Sequence, residues 1–219
     1  MNEHPEMANK YKNKAIAEQH SIDVAFDILM EPKYRDLRSA IYANEGEMRR
    51  FRQIVVNVIM ATDICDKDLK EFRNKRWAKA FDEHTKSEID PEQYKNLKAT
   101  IGIETLIQAS DILHTMSPWT VYKKWNERLF AEMYKAYTEG RGNDPTTFWF
   151  KGEIGFFDFY IIPLAKKLQT CEVFGTMSQE CLSHAQSNRE AWLRNGPGAV
   201  KEMIRKVTLQ ISQPTARSA

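Results

Sequence analysis

The chain has 219 residues, 42% of them hydrophobic and 28% charged, the balance of a globular domain with ample length to bury a core. Its formal net charge of +2 excludes a large basic field of the kind that tracks nucleic acid or an anionic membrane surface. Cys65, Cys171 and Cys181 form no CxxC pair and leave an odd count, so a zinc framework and a disulfide scaffold are not indicated, and reduced intracellular thiols are expected.

In chain order, the opening stretch MNEHPEMANKYKNK is polar and lacks the apolar core of a signal peptide. Pro32 sits where a first-turn proline is tolerated. Phe51, Ile54, Val55, Val58, Ile59 and Thr62 recur with helical spacing and so share one face. Residues 66–90 are dense in charge and read as a solvated helix and loop. Pro91 marks another helix start, followed by the stripe Leu97, Ile101, Thr105 and Gln108. Ser117-Pro118 reads as an N-cap and a first-turn proline, and Val121, Trp125, Leu129, Met133 and Ala136 form a third stripe.

Gly140 to Pro145 is the clearest loop, and Asn195, Gly196, Pro197 and Gly198 form a second expected break. The longest strongly apolar run, Ile154 to Leu164, contains Asp158 and falls short of the ~20 residues of a membrane span. The segment after Thr208 has little to pack and is expected to fray. No segment alternates cleanly, no Asn-Gly or Asp-Gly hairpin occurs, and there is no internal repeat, so the expected fold is all-α.

Two segments carry a resemblance. QASDILHTMSPW, Gln108 to Trp119, and KGEIGFFDFYIIPL, Lys151 to Leu164, resemble parts of the catalytic domain of the class I 3′,5′-cyclic nucleotide phosphodiesterases. In that family an Ala-x-Asp segment supplies a metal-binding aspartate and a Gln-x-Gly-Phe segment holds the purine. Three more segments agree in order: YKNKAIAEQHSIDVAF from Tyr11 to Phe26, IVVNVIMATD from Ile54 to Asp63, and Ser187-Asn188-Arg189-Glu190 with Trp192. The resemblance implies a multi-helix bundle that hydrolyses cyclic AMP or cyclic GMP to the 5′-monophosphate in second-messenger signalling. It also implies two divalent ions, zinc with magnesium or manganese, which activate the attacking water.

By resemblance, Asp111 is the metal ligand, and Glu18, Thr62 and Asp63 hydrogen-bond the waters around the second ion. Phe156 stacks on the purine and Leu129 closes the other side of the clamp. Since Phe156, Phe157 and Phe159 are crowded together, at least one of them must be core. Glu153 stands where the family has glutamine. A carboxamide both donates and accepts, whereas an ionised carboxylate only accepts, so altered nucleotide preference is expected, leaning toward cyclic GMP. His114, where an asparagine often sits in cyclic-AMP-selective members, points the same way.

Two other departures are Ser21, in place of the second histidine of a His-His pair, and a shortened stretch between Tyr137 and Glu153, which leaves the pocket more open. The family's His-Asn-x-x-His and His-Asp-x-x-His-x-Gly-x-x-Asn segments would precede Tyr11. His4, followed by Pro5, matches neither, while His84, His114 and His184 are scattered. Asp111 alone cannot hold a metal pair. The expectation is therefore a partial catalytic domain over residues 1–210, its N-terminal helices missing, with a disordered tail at 211–219. Such a chain is cytoplasmic, with a membrane-tethered parent left open, and its partners are a cyclic nucleotide, regulatory domains of a parent, or a second copy. The competing reading is an inactive relative that binds a purine nucleotide or a protein.

Overall fold

A computed structural model describes residues 5–81, 84, 88–172 and 174–212, and among these there is no strand. The chain divides into two compact units, Met1–Asp111 and Ile112–Ala219.

The first unit contains α1 (Pro5–Lys10), α2 (Ile16–Met30), α3 (Arg35–Ile41), α4 (Glu45–Ala61), α5 (Lys67–Ala80) and α6 (Pro91–Asp111). Their starts are fixed by local chemistry. Asn44 caps α4 by accepting the Glu47 N–H at 3.0 Å, and the Glu47 carboxylate returns the favour to the Ala43 N–H at 2.8 Å. Asp66 caps α5 through the N–H groups of Asp68 and Leu69. Pro32 opens a 3₁₀ turn and Pro91 opens α6, both at tolerated first positions. Within this unit α4 packs on α2 and α6, and α5 packs on α6.

The stripe expected on α6 is the one that turns inward, with Ile101 and Thr105 buried. Beside it, Glu104 is buried and pairs with Arg76 of α5 at 2.6 Å, an arrangement that compensates a carboxylate removed from water. Val24, Ile28 and Met30 on α2, and Ile103 and Leu106 on α6, remain exposed. The expected loop part of residues 66–90 includes 82, 83 and 85–87, which lie outside the described residues, as do 213–219 of the expected tail.

The second unit contains α7 (Trp119–Thr138), α8 (Trp149–Phe156), a π turn (Phe157–Ile161), α9 (Ile162–Thr170) and α10 (Thr176–Ser212), with 3₁₀ turns at Leu113–Met116 and Pro145–Thr147. α10 packs against α7, α8, α9 and the first 3₁₀ turn. The π turn has a local cause: the Ile162 N–H reaches the Phe157 carbonyl, one residue farther than in an α-helix, and Pro163 then falls in the first turn of α9. Phe157 is the fully buried member of the crowded phenylalanines, while Phe159 is 76% exposed.

Three sequence expectations are corrected here. The break at Asn195–Gly198 does not exist, because α10 runs through it. Gly196 is buried where α10 meets α8, and Pro197 and Leu193 face solvent, so water can satisfy the carbonyl that loses its N–H partner to the proline. The stripe Val121, Trp125, Leu129 and Met133 is the exposed side of α7; Tyr122, Asn126 and Phe130 form the buried side. Ser117 does not cap α7, since its hydroxyl donates back to the Leu113 carbonyl at 3.0 Å. The Gly140–Pro145 loop falls where expected, between α7 and the second 3₁₀ turn.

A Cβ on Gly196 would lie 2.5 Å from the Phe150 ring and 2.6 Å from the Trp192 ring. Gly196→Ala should therefore lower stability by about 1–3 kcal/mol through overpacking. Chemical denaturation followed by tryptophan fluorescence checks this; an unchanged midpoint would contradict the close helix approach.

Candidate functional site

The residues nominated from sequence fall into two groups that the fold keeps in separate units. Glu18, Thr62, Asp63 and Asp111 belong to the first, and His114, Leu129, Glu153 and Phe156 to the second.

In the first unit, Asp111 is the last residue of α6 and is exposed. One turn earlier the Gln108 amide donates to the Ala61 carbonyl at 2.9 Å, which ties the end of α6 to the end of α4. Thr62 and Asp63 follow Ala61 directly. Thr62 donates its hydroxyl to the Ile59 carbonyl, and the buried Asp63 accepts the N–H groups of Cys65 and Asp66 at 2.9 and 3.1 Å. Asp63 is thus committed to the turn into α5, a local task that any Asx turn performs. Glu18 is half-buried in the first turn of α2. Tyr11, matched alongside it, is buried and donates to Asp23 at 2.8 Å, and Lys10 pairs with the same carboxylate at 2.7 Å.

Among the described residues no three His, Cys, Asp or Glu side chains converge on a point that could hold an ion. A lone exposed aspartate does not compose a dinuclear site. The residues present therefore do not by themselves fit the metal pair that the resemblance implies. A groove of ≈ 370 Å³ does exist in this unit, bordered by Arg50, Asn57, Arg76 and Thr100, but it includes none of the nominated residues.

The second unit holds a connected polar network at the position of the sequence departure. Tyr122 of α7 is fully buried, and its hydroxyl donates to Oε2 of Glu153 on α8. That hydroxyl also accepts two N–H groups, from Trp192 Nε1 at 2.5 Å and from Asn126 Nδ2 at 3.2 Å. Asn126 in turn accepts Trp149 Nε1 at Oδ1, 3.1 Å away. Burial pushes the Glu153 carboxyl pKa up, and hydrogen bonds from Tyr122 and Asn126 oppose that shift. Burial raises the Tyr122 phenol further, helped by the charge of Glu153.

Phe156 lies one helical turn beyond Glu153 on α8, half-buried and stacked on Tyr160 with ring centroids 5.4 Å apart. Leu129 lies one turn beyond Asn126 on α7 and is 47% exposed. His114 sits in the 3₁₀ turn with its ring 6.3 Å from Trp125. Thus α7 and α8 bring Glu153 together with Tyr122 and Asn126, while Phe156 and Leu129 stand on the following turns of those same helices.

The structure also gives three residues of the Ser187–Trp192 segment a task. Asn188 is buried and donates to the carbonyls of Thr115 and Ser117 at 3.0 and 2.8 Å, fixing the 3₁₀ turn that carries His114. Arg189 forms a two-point pair with Asp158 of the π turn, Nη2 lying 3.1 Å from Oδ2, and this guanidinium holds the Asp158 carboxyl below its usual range. Trp192 supplies the indole donor to Tyr122.

Sequence reasoning missed Tyr122, Asn126 and Trp149 altogether and gave Trp192 no role. The available signal was Tyr122 and Asn126 four apart beside the buried Phe130, but the neighbouring stripe through Trp125 and Leu129 is more apolar and concealed it.

Comparison with known proteins follows the same lines. A family model described as 3′5′-cyclic nucleotide phosphodiesterase matches residues 1–184. The probable 3′,5′-cyclic-AMP phosphodiesterase pde-4 of Caenorhabditis elegans is 24% identical over 222 residues, covering 95% of this chain and 31% of the relative. The dual specificity calcium/calmodulin-dependent 3′,5′-cyclic nucleotide phosphodiesterase 1B of Mus musculus is 21% identical over 168 residues, covering 72% and 28%. Among solved structures, the phosphodiesterase domain of the Salpingoeca rosetta rhodopsin phosphodiesterase aligns with a TM-score of 0.63 at 22% identity, covering 94% of this chain and 60% of that one. The all-helical fold is therefore that of these domains, and the chain spans about a third of the curated relatives, 31% and 28%.

Tyr122→Phe removes the hydroxyl that stabilises the ionised Glu153 and takes away the acceptor of the buried Trp192 N–H. The Glu153 pKa should rise further, read by ¹³C-carboxyl NMR, and stability should fall by about 1–3 kcal/mol. A fall in that pKa would refute the donor role of Tyr122.

Proposed function

The chain belongs to the 3′,5′-cyclic nucleotide phosphodiesterase family, and we propose that it forms the part of such an enzyme that holds the purine and contributes one metal-ligand aspartate. The reaction is addition of water at the cyclic phosphorus with cleavage of the bond to the 3′ oxygen, giving a 5′-nucleoside monophosphate in second-messenger signalling. The observation that carries the proposal is the ordered hydrogen-bond network at Glu153. A half-buried carboxylate that a buried tyrosine, two indoles and an amide hold in one orientation is arranged to meet a polar ligand edge.

In this reading Glu153 meets the edge of the base, Phe156 packs on one of its faces, and Leu129 and His114 border the other side. Stacking supplies affinity without reading the base, and Glu153 supplies the discrimination. An acceptor suits the guanine N1–H, which supports the lean toward cyclic GMP. Asp111 supplies one carboxylate to the metal centre, and Glu18, Thr62 and Asp63 border it. Residues 1–210 are then part of a catalytic domain acting in the cytoplasm, with regulatory domains or a second copy as further partners. A second reading, a relative that binds a purine nucleotide without hydrolysing it, draws on the lack of a convergent metal-ligand cluster among the described residues.

Equilibrium binding of cyclic AMP and cyclic GMP to the chain tests the proposal. Phe156→Ala should weaken both by about tenfold through lost stacking. Glu153→Gln should move the ratio of the two affinities toward cyclic AMP; an unchanged ratio would sink the assignment of selectivity to Glu153.

Activity is a separate measurement. The purified chain should turn over neither nucleotide, whatever divalent ion is added, because one carboxylate does not build the centre. Turnover would show that the described residues assemble a metal site after all.

A further inference from the structure

The first unit contains a groove lined by none of the residues nominated for catalysis or base binding. Gln53, Ile54 and Asn57 recur on one face of α4, and Asn96, Thr100 and Ile103 recur on the facing side of α6. Its volume of ≈ 370 Å³ lies in the range of small-molecule sites.

The charge of the groove is one-sided. Its described lining holds two arginines, Arg50 and Arg76, and no carboxylate. The two are not equivalent. Arg76 of α5 is half-buried, and its charge is met by Glu104 at 2.6 Å. Arg50 is exposed and has no ion-pair or ring partner among the described residues. The carboxylates on the first turn of α4 are taken: Glu45 pairs with Arg49, and Glu47 accepts the Ala43 N–H and the Asn44 amide. The carboxamides of Gln53, Asn57 and Asn96 add N–H donors along both walls. The Thr100 hydroxyl is turned back onto the Asn96 carbonyl at 2.8 Å.

The groove adjoins apolar space. A second cavity of ≈ 210 Å³ shares Asn57 and Arg76 with it and is walled by Val56, Met60, Leu69 and Phe72. Glu104 also lines this cavity, with its charge already met by Arg76. Phe72 is 58% exposed, and covering such surface is favourable.

We propose that the two cavities form one site for a small organic anion, whose phosphate or carboxylate head pairs with Arg50 and whose apolar body lies along Ile54 and Ile103 toward Met60 and Phe72. A guanidinium fork matches either head with two parallel N–H···O bonds. A cation would be repelled by the unmatched charge of Arg50. A neutral apolar molecule would leave that charge unmet, and inorganic phosphate would leave the apolar walls uncovered. The site is independent of the purine-site assignment, since Glu153 and Phe156 belong to the other unit.

The test titrates the chain with octyl phosphate, octanoate, inorganic phosphate and the uncharged octyl glucoside, each below the concentration at which it forms micelles. Binding is read by calorimetry and by NMR of the Asn57 and Asn96 side-chain amides. Octyl phosphate or octanoate should bind, the tighter of the two identifying the head group, and inorganic phosphate and octyl glucoside should bind at least tenfold more weakly. Shortening the alkyl chain of the phosphate should cost about threefold in affinity for each CH₂ removed. Arg50→Ala should weaken the charged amphiphile about tenfold and leave octyl glucoside unchanged. Ala99→Trp, which fills the groove, should abolish binding.

Both substituted positions are exposed, so folding is preserved, and the chain-length series needs no variant. Failure of both amphiphiles to bind, equal binding of octyl glucoside, or an affinity unmoved by Arg50→Ala would overturn the site. So would a sedimentation coefficient that rises with concentration in the parent and not in Ala99→Trp, because the groove would then belong to a second copy of the chain.

Discussion

A phenol sealed inside a protein must place one proton and accept whatever donors reach it, and the second unit is organised around how Tyr122 does so. Its hydroxyl is where α7, α8 and α10 meet through side chains, with Glu153 in front and Asn126 and Trp192 behind. Each of these groups is costly to bury alone, and each is satisfied only if the other helices arrive in register. Edge-on aromatic contacts surround the oxygen: the Tyr122 ring meets Phe157 at 5.4 Å, and Phe130 meets Trp149 at 5.1 Å. The apolar shell keeps water away from the network and the network keeps the shell in one arrangement.

The element that enforces this register is α10. Ala185, Asn188, Trp192, Gly196 and Val200 recur along one buried face, so a single helix delivers a loop clamp, an indole donor and a close approach in successive turns. Asn188 holds the turn before α7 through two carbonyls, and Arg189 at the edge of that face holds the π turn through Asp158. The π turn precedes Pro163 and lies next to Phe156, where a change in helical phase redirects the side chains that follow. Trp192 links the two, since it stands beside Gly196 on α10 and donates to the Tyr122 hydroxyl that holds Glu153.

The first unit contributes differently. Its polar residues near the ends of α4 and α6 are engaged mostly with their own backbone, as with Thr62 on Ile59 and Asp63 on the next turn, and the Gln108–Ala61 bond joins the two helix ends. Asp111 emerges from this frame as an exposed carboxylate on a fixed helix terminus. Hydrolysis of a phosphodiester needs charge neutralisation at phosphorus and an activated water, and a single carboxylate supplies neither. Holding a base and cleaving an ester are thus separable demands.

Several features were legible from residue order alone. The 3.6-residue spacing on α6, the prolines at helix starts, the Gly140–Pro145 loop and five segments in order were enough for an all-helical fold and its family, because these depend on local backbone preference and on residue identity. The segments also nominated Glu153, Phe156 and Asp111. Other features depended on distance in space. Trp192 reaches Tyr122 across 70 residues and Asn188 reaches Thr115 across 73, and no local pattern encodes such partners. Two of the stripes that looked alike in sequence separated only when packing chose, burying Ile101 and Thr105 while leaving Trp125 and Leu129 outside. Asn195–Gly198 has the composition of a loop and is helix, since the contact of Gly196 with Phe150 outweighs local propensity. The sequence by itself determined that a carboxylate stands where a carboxamide is usual. Only the tertiary structure decided what holds that carboxylate, because the Tyr122 hydroxyl that donates to it comes from another helix and is itself met by the Trp192 indole 70 residues away.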